Sequence, residues 1–558
     1  MLADRGSDPD VERLLEGVAF LTGRVRQKLD DEIPEVIHSI AKMLFPQLVR
    51  PIPSAAILEL TPLPQALAAR HVVSAGSEFL SVPIDGTECR FRSTNDCELT
   101  PWFIDDARLE EPAPGRQQLR LDIRTMTNAP AISIAPDVVR LHLSGEIETA
   151  LSLLMWMHTQ VDDVVLVESK PTGGYEREIS LGKGALKAVG FNDEEALFPT
   201  ERNEFPAFRL VEEYFIMPHK FAFVDVEGLL KIAQFDPKMS RFGLIIRFSK
   251  PWPLRLAKDM IKLHCMPVVN IFETPAEPVR FDIRRVQYVV FPAGLPLSHG
   301  DVYAIRSVQA IQKTTRNRVN VRAFYEFDHG VGMTREEGCY YATHLRPGVI
   351  GDTVDLFISV HTPADMGVLP DTDILSIDLL ATNGSLASKI RAGEICRPSA
   401  SSPTVATFRN LGAATRHVPT PVGSDLQWRA LAHASMGLRE LTDTEVFRGV
   451  LEVYNRLGAV DRQAARANSL RVAAVDRLEV NVAERLYKGT PIRGLEIIAY
   501  VDETGFTGDG DIFLFSAIID RFFAAYVSLN SFSVVTLRGI NSNLEIKWPP
   551  RTGVLTMI

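Results

Sequence analysis

The chain has 558 residues, and at about 100–200 residues per domain this length is enough for about three to five domains. Hydrophobic residues make up 46% of the sequence and charged residues 23%, which is the balance of an ordinary globular protein. The formal net charge of −10 argues against general nucleic-acid binding, because that binding needs a basic surface to displace counterions.

The N-terminal segment is predicted to be helical. Apolar side chains recur at spacings of three or four residues, which places them in one stripe along a helix. The stripe consists of Leu14, Val18, Leu21, Val25 and Leu29. Pro34 ends or interrupts this helix, and a second short helix is predicted over 35–44.

Short β-segments follow, separated by turns rich in Gly and Pro. Strands are predicted at 56–60, 79–84, 87–93 and 118–124. A helix is then predicted over 146–158 and a strand over 164–169.

The middle of the chain is predicted to be mainly β. A helix near 208–217 precedes a buried strand that ends near Val226, and another strand is predicted over 242–248. The residues from 265 to 360 are mostly β in pattern. The stretch 397–424 is rich in Ser, Thr, Pro and Gly and is predicted to be a linker.

The last part of the chain mixes helices and strands. Helices are predicted over 428–438, 443–455 and 511–529, and strands over 471–482, 495–503, 531–538 and 543–548. The helix at 511–529 is apolar around nearly its whole circumference, so it must be covered on all sides. Two alternatives remain open: its own chain buries it completely, or a neighbouring subunit covers one half.

The predicted fold class is therefore α+β and multidomain, with N-terminal helices, several β-rich domains and a mixed C-terminal module. The predicted domains are 1–50 (helical segment), 51–205 (β-rich with a helix), 206–396 (β-rich), 397–424 (linker-like) and 425–558 (mixed α/β).

The sequence predicts no catalytic, cofactor-binding or metal-binding residues. It contains no CxxC, HExxH, P-loop or G-x-S-x-G motif. The five cysteines are few, odd in number and scattered, which favours buried free thiols in a reducing compartment. Asp509 and Asp511 are predicted to form a solvated turn that caps the following helix. No run reaches the ~18 apolar residues of a membrane span, so direct membrane insertion is not expected.

Several long blocks, in order along the chain, resemble one protein family. They are VERLLEGVAFLTGRVRQKLDDEIPEV (11–36), LVRPIPS (48–54), FRLVEEYFIMPHKFAFVDVEGL (208–229), CMPVVNIFETPAEPVRFD (265–282), VYAIRSV (302–308) and DIFLFSAIIDRFFAAYVSLNSFSVVTLR (511–538). These blocks are similar to the TssF (ImpG/VasA) family of type VI secretion baseplate subunits, and they span essentially the whole chain.

The resemblance implies assembly rather than catalysis. It implies that two TssF copies and one TssG form a wedge, that TssE joins the wedge to the sheath, and that TssK links it to the membrane complex. The baseplate surrounds the spike, templates tube and sheath growth, and triggers contraction. The expected location is cytoplasmic, docked at the inner membrane through partner proteins.

The resemblance also suggests candidate interface residues. They are Leu14, Val18, Leu21 and Val25 on the predicted N-terminal helix, and Phe522 and Phe523 on the apolar C-terminal helix, where the two rings are candidates for interface or core anchors. A different class of function remains as an alternative, namely a β-rich cytoplasmic hydrolase whose active site is assembled from distant residues.

Overall fold

The computed structural model confirms the predicted α+β, multidomain class, since it contains α-helices and several separate β-sheets. It describes residues 40–42, 45–67, 69–126, 130–168, 177–200, 206–257, 259–282, 284–324, 339–348, 353–361, 372–422, 429, 440–487 and 490–553. No helix within these ranges is both long and apolar enough to cross a membrane.

The α-helices with defined bounds lie in two parts of the chain. They are α1 Ile147–Thr159, α2 Pro206–Ile216, α3 Thr444–Val453, α4 Arg462–Ala473 and α5 Asp509–Ala525. Helices α1, α2, α3 and α5 confirm sequence predictions. The predictions for 14–29 and for nearly all of 35–44 and 428–438 lie outside the described residues.

Helix α4 was not predicted, and the strand predicted from residue 471 begins later, at Val475. The helix starts where the Asp461 side chain accepts a hydrogen bond from the Ala464 amide at 2.9 Å. Such a cap satisfies one of the free amides at a helix start. The cap and the good helix formers that follow it therefore outweigh the β-branched pattern at the end of this segment.

The strands are numbered in chain order. The first group is β1 Ala55–Pro62, β2 His71–Val73, β3 Glu78–Ile84, β4 Thr87–Ser93, β5 Cys97–Leu99, β6 Trp102–Ala113, β7 Arg116–Thr125, β8 Val138–Leu143, β9 Val161–Glu168, β10 Glu178–Ser180, β11 Leu186–Ala188, β12 Phe223–Glu227, β13 Arg241–Phe248 and β14 Ile261–Lys262. The second is β15 Cys265–Val269, β16 Phe272–Pro275, β17 Val279–Arg280, β18 Tyr288–Val290, β19 Asp301–Gln312, β20 Arg318–Asn320, β21 Arg322–Ala323, β22 Tyr340–Pro347, β23 Val354–His361 and β24 Thr372–Thr382. The third is β25 Ile395–Pro398, β26 Ala406–Asn410, β27 Val475–Tyr487, β28 Thr490–Val501, β29 Phe532–Gly539, β30 Glu545–Lys547 and β31 Arg551–Thr552.

These strands form six larger sheets, which we name A to F, and the small pair β2–β5. Sheet A has the order β25-β3-β4-β15-β1-β26, sheet B the order β10-β9-β13-β7-β6, and sheet C the order β11-β12-β8-β14. Sheet D has the order β16-β24-β19-β20 with β17 beside β24, sheet E the order β18-β23-β22-β21, and sheet F the order β27-β28-β29-β30 with β31 beside β29.

The chain visits sheet A three times. It first forms β1, β3 and β4 and then continues into sheets B and C. It returns to sheet A as β15, continues into sheets D and E, and returns again as β25 and β26. Strand β1 pairs with strands from both returns, since Ala55 faces Val269 and Leu58 faces Asn410. Sheet A thus joins parts of the chain that are more than 300 residues apart.

The strands of sheet A come from three of the domain ranges expected from the sequence. The stretch 397–424 contains β26, whose Asn410 is almost fully buried. The Asn410 amide group donates to the carbonyls of Arg391 and Gly412 and accepts from the Ile395 amide. Part of this stretch is therefore held in sheet A, and the domain borders drawn from the sequence stay predictions.

Three large apolar cores organise the molecule. The largest combines the helices with sheets B, C and F, the second lies beneath sheet A, and the third fills the space between sheets D and E. Helix α5 runs through the largest core and packs against α1, α2 and β29.

The crossing of α5 and α1 depends on a glycine. A Cβ atom added to Gly510 would lie 2.3 Å from the Leu151 carbonyl carbon and 2.4 Å from the Ser152 nitrogen. Both atoms belong to the backbone of α1, so neither can move without displacing that helix. The two helices therefore approach this closely only because position 510 has no side chain.

Gly510→Ala is expected to destabilise the protein by at least the ~1–3 kcal/mol typical of overpacking, because the backbone of α1 must shift. The matched control is Gly449→Ala in α3, where an added Cβ has open space around it. That change should stabilise by about 0.5–1 kcal/mol through helix propensity. Urea unfolding followed by circular dichroism measures both changes, and equal stability of the two variants would contradict this account of the crossing.

Candidate functional site

The predicted N-terminal stripe of Leu14, Val18, Leu21 and Val25 lies outside the described residues. The described chain shows where the following segment is held. Phe45 packs edge-to-face on Phe208 of α2, with ring centroids 5.9 Å apart. The chain that follows the predicted helix is therefore attached beside α2.

The structure places Phe522 and Phe523 in the interior, each with 0% of its surface exposed. Phe522 packs edge-to-face against Phe447 of α3 and Phe208 of α2, and Phe523 stacks on Phe447 at 5.2 Å. No surface of either ring is available to a partner in this conformation. Of the two alternatives for this helix, burial by its own chain is the one observed, and a role of these two rings in a subunit contact stays a prediction.

Helix α5 begins directly after Gly508, and the side chain of Asp511 in its first turn accepts hydrogen bonds from the residue before that glycine. Gly508 has φ +145°, and the Asp511 carboxylate accepts hydrogen bonds from the amide and hydroxyl of Thr507 at 3.2 and 3.0 Å. A carboxylate in the first turn also interacts favourably with the helix dipole. Asp509 is exposed as the predicted solvated turn requires, whereas Asp511 is 2% exposed and belongs to the interior. That part of the prediction is wrong, because α1 and α2 cover the helix start.

Asp511 connects three helices. Its carboxylate accepts a hydrogen bond from the Tyr214 hydroxyl of α2 at 2.6 Å and from Arg471 Nε of α4 at 2.8 Å. Burial, together with the nearby Asp511 charge, raises the pKa of Tyr214 well above its usual value. The tyrosine thus remains a hydrogen-bond donor at any ordinary pH.

The C-terminal half of α5 carries a second pair of charged residues. Asp520 has no exposed surface and forms an ion pair with Arg551 of β31. Burial raises the pKa of Asp520, while Arg551 acts in the opposite direction. The Arg521 guanidinium lies 3.7 Å from the centre of the Phe191 ring, which is a favourable cation–π geometry. These contacts fix the rotation of α5 about its own axis.

Helix α2 buries two adjacent glutamates that point to different partners. Glu213 forms ion pairs with Lys220 and Arg209 and accepts the Leu197 amide at 2.6 Å. Burial lowers the pKa of Lys220 to about 8, although the Glu213 charge raises it. Paired in this way, the charges avoid the several kcal/mol that an isolated buried ion would cost.

The second glutamate, Glu212, lies 3.3 Å from Arg456, which follows α3. Arg456 also donates to the carbonyls of Gln47 and Arg50, at 3.0 and 2.6 Å. One buried guanidinium therefore joins α2, the C-terminal module and the segment that follows the predicted N-terminal helix. Burial lowers the pKa of Arg456, which Glu212 opposes.

These buried charges were missed in the sequence analysis. The segment FRLVEEYFIM did contain a usable signal, because two adjacent glutamates interrupt a run of large apolar residues. Such residues are almost never fully buried unless they are paired. The partner of Glu212, Arg456, carries no local signal, since it lies 244 residues further along the chain.

The hydrolase alternative requires an activated group in a cleft, and Cys97, His264 and Cys265 line a cleft of about 430 Å³. Burial raises the pKa of Cys97 to about 12 and that of Cys265 well above its usual value, which is opposite to what a nucleophilic thiol needs. His264 Nε2 accepts a hydrogen bond from the Thr100 amide at 3.1 Å. This cleft therefore presents no activated thiol, and within the described ranges no cluster of three or more His, Cys, Asp or Glu residues could hold a metal ion.

Comparison with known proteins gives consistent matches along the whole chain. Residues 1–554 match the family model for "Type VI secretion system, TssF". The type VI secretion system component TssF1 of Pseudomonas aeruginosa PAO1 is 26% identical, with 98% of this chain and 93% of that protein covered.

Two solved complexes contain chains of similar structure. A chain of the TssK-TssF-TssG baseplate subcomplex, determined by cryo-electron microscopy, aligns with a TM-score of 0.81 and 28% identity over 97% of this chain and 98% of that one. A chain of the type VI secretion baseplate complex aligns with a TM-score of 0.61 and 25% identity over 98% and 93%.

A match of this length, shared by sequence and fold, places the chain among the components of type VI secretion systems. Within that class, it belongs to the TssF family.

Arg471→Met is expected to cost about 3–5 kcal/mol of stability, because it leaves the buried Asp511 carboxylate without its cation. Tyr214→Phe should cost less, about 1.5–3 kcal/mol, because it removes only one hydrogen bond to that carboxylate. The control Arg493→Met removes an exposed ion pair with Glu484 and should cost at most about 1 kcal/mol. Chemical denaturation measures the three stability losses and so tests their predicted order. Equal losses for the Arg471 and Arg493 variants would contradict the prediction.

Stability is expected to fall as the pH drops below about 6.5. Burial lowers the pKa of His142 to about 3 and the pKa values of His158 and His264 to about 4. These three histidines therefore bind protons in the unfolded chain that they do not bind in the folded chain. Each contributes a loss of up to about 1.4 kcal/mol per pH unit between pH 6.5 and about 4.

Urea unfolding at pH 7 and pH 5 measures this loss. His158→Phe keeps the stacking on Phe513 and removes one titrating group. It should therefore reduce the slope of the unfolding free energy against pH by the contribution of one proton. An identical pH dependence in wild type and His158→Phe would show that this histidine does not contribute.

Proposed function

We propose that this chain is a structural subunit of the type VI secretion baseplate. Two copies with one TssG-type subunit form the wedge that templates tube and sheath assembly and triggers contraction. The observation that carries the proposal is the likeness, over the whole length and in both sequence and fold, to a chain of the TssK-TssF-TssG baseplate subcomplex.

The partners follow from the same proposal. They are a second copy of the chain, TssG, TssE, TssK and the spike and tube proteins. The chain acts in the cytoplasm, docked at the inner membrane through partner proteins. Its role is mechanical positioning rather than catalysis, and the cleft at Cys97 and Cys265 offers the hydrolase alternative no activated thiol.

The buried charges suit such a subunit. Arg456 and Asp511 each join elements that are far apart in sequence, so α2, α4, α5 and the segment from Gln47 to Arg50 are held together. A ring that stores a trigger needs stiff subunits, whose interfaces then switch between two packings of similar free energy.

The N-terminal stripe supplies a contact in this proposal. Four apolar side chains on one face of a predicted helix would be worth about 1.5–3 kcal/mol each when buried against another subunit. The Arg456 contacts with the carbonyls of Gln47 and Arg50 would transmit force from that helix to the rest of the chain.

Co-expression with a TssG-type subunit and native mass spectrometry tests the proposed function. A complex of two copies of this chain and one TssG-type subunit is expected. A purified chain that stays solitary in the presence of that subunit, and that turns over a substrate, would overturn the proposal.

Leu21→Asp is expected to reduce co-purification with the TssG-type subunit at least about tenfold, because it places a charge in the apolar stripe. Gln27→Asp adds the same charge on the opposite face of the predicted helix and should leave co-purification unchanged. Thermal unfolding of both variants should match wild type, and equal binding by both would remove the stripe from the interface.

A further inference from the structure

Strand β14 leaves the edge of β8 at a strained residue. Ile261 and Lys262 pair with Leu143 and His142 on the outer edge of β8. Two residues later His264 adopts φ +54°, and the chain crosses to sheet A as β15. A positive φ is uncommon for a residue other than glycine and persists only where the surroundings enforce it.

The contacts of His264 enforce this turn. Its Nε2 accepts a hydrogen bond from the Thr100 amide at 3.1 Å and lies 3.0 Å from the Thr100 hydroxyl. Its backbone carbonyl accepts a hydrogen bond from the Leu60 amide at 2.9 Å. Leu60 belongs to β1 of sheet A, and Thr100 directly follows β5. The crossing strand is therefore held away from β8.

This departure leaves part of β8 with an unpaired edge. The Leu143 amide donates to the Ala222 carbonyl at 2.8 Å, which fixes the alternation of the ladder between β8 and β12. In an antiparallel ladder, alternate residues direct both backbone groups to opposite sides. The amides and carbonyls of Val138 and Arg140 therefore point away from β12, and within the described chain no strand pairs with them on that side.

A cleft lies along this edge. Its volume is about 430 Å³, within the ~300–1,000 Å³ range of ligand pockets. Val138, Val139 and Arg140 line one wall, and Cys97 and Glu98 of β5 line the other. Strand β5 pairs only with β2 among the described strands. The cleft thus separates two short strands from different sheets.

The side chains around the cleft indicate the chemistry of an occupant. Val72 and Val138 are 51% and 37% exposed and form an apolar rim. The charged residues that line the cleft are Asp96, Glu98, Asp225 and Arg140. Asp225 engages Arg140 at 2.7 Å, and Glu98 forms an exposed ion pair with Arg70 at 3.3 Å, which is worth little in water. The lining is therefore net negative and favours a basic partner.

We propose that this cleft binds an extended segment of the TssG-type subunit, which adds as a strand to the free edge of β8. The segment places an apolar side chain against Val138 and a Lys or Arg beside Asp96 and Glu98. The backbone hydrogen bonds give affinity, and the alternate side chains give specificity. The identity of the partner rests on the proposed function.

Hydrogen exchange with residue-level fragmentation mass spectrometry tests the proposal on the full chain, alone and in complex with the TssG-type subunit. The amides of Val138 and Arg140 should exchange at least about tenfold more slowly in the complex. The amides of Val139 and Leu141, which point to β12, should already be protected in the free chain and change little.

Three variants provide an independent measurement. Val138→Lys should weaken binding of the TssG-type subunit at least about tenfold, because an edge lysine opposes strand addition. The matched control is Val289→Lys, since Val289 is 41% exposed on the edge strand β18 of sheet E. The control should bind as wild type, and both variants should keep the thermal midpoint. Glu98→Lys should also weaken binding.

Several outcomes would overturn the inference. One is a complex that forms with Val138 and Arg140 unprotected. Another is protection of these amides in the free chain, which would assign the edge to a segment of this chain, and a third is protection that appears with chain concentration alone, which would assign it to a second copy. Failure of any complex to form would overturn the proposed function as well, so the two proposals are distinguishable.

Discussion

The requirement that α5 be covered on every side determines much of this structure. The helix is apolar around its circumference, so any face left in water would forfeit about 1.5–3 kcal/mol for each large side chain. Its cover comes from α1, α2, α3 and sheet F, which lie hundreds of residues apart in sequence. The C-terminal module therefore cannot complete its core without the region that contains α1 and α2. This interdependence makes the helices and sheets B, C and F one cooperative body.

Buried charges determine how the elements of that body are arranged relative to one another. An ion pair in the interior gains little net stability, but removing one partner is costly, so each pair selects one arrangement of the elements it joins. Asp511 selects the relative positions of α2, α4 and α5, and Arg456 attaches the segment around Gln47 to the same body. A subunit that passes force from one interface to another benefits from such connections, because they resist sliding more than apolar contacts do.

Sheet A has a different role, because the chain returns to this sheet each time it has passed through other sheets. Each return to this sheet requires a strand to leave one sheet and enter another, and the crossing at His264 shows the structural consequence. Backbone strain is held there by contacts with Thr100 and Leu60, and among the described strands none pairs with one section of the outer edge of β8. Unpaired strand edges are recognition elements when they are not protected. The topology that builds sheet A thereby also leaves this edge of β8 open within the described chain.

The sequence by itself determined the local elements. The spacing of apolar residues predicted α1, α2, α3 and α5 and most of the strands that were named, because periodicity is a local property. It also showed that α5 needed complete cover, and the family resemblance in six ordered blocks was confirmed. The capped helix α4 was missed because its β-branched end resembles the start of a strand.

Only the tertiary structure decided what covers α5 and which charges are paired. Phe522 is buried by residues such as Phe208, and Glu212 meets Arg456 across 244 positions of sequence. The three visits to sheet A likewise depend on pairings between distant strands. These outcomes depend on which distant surfaces fit together, and no local pattern in one sequence encodes that fit.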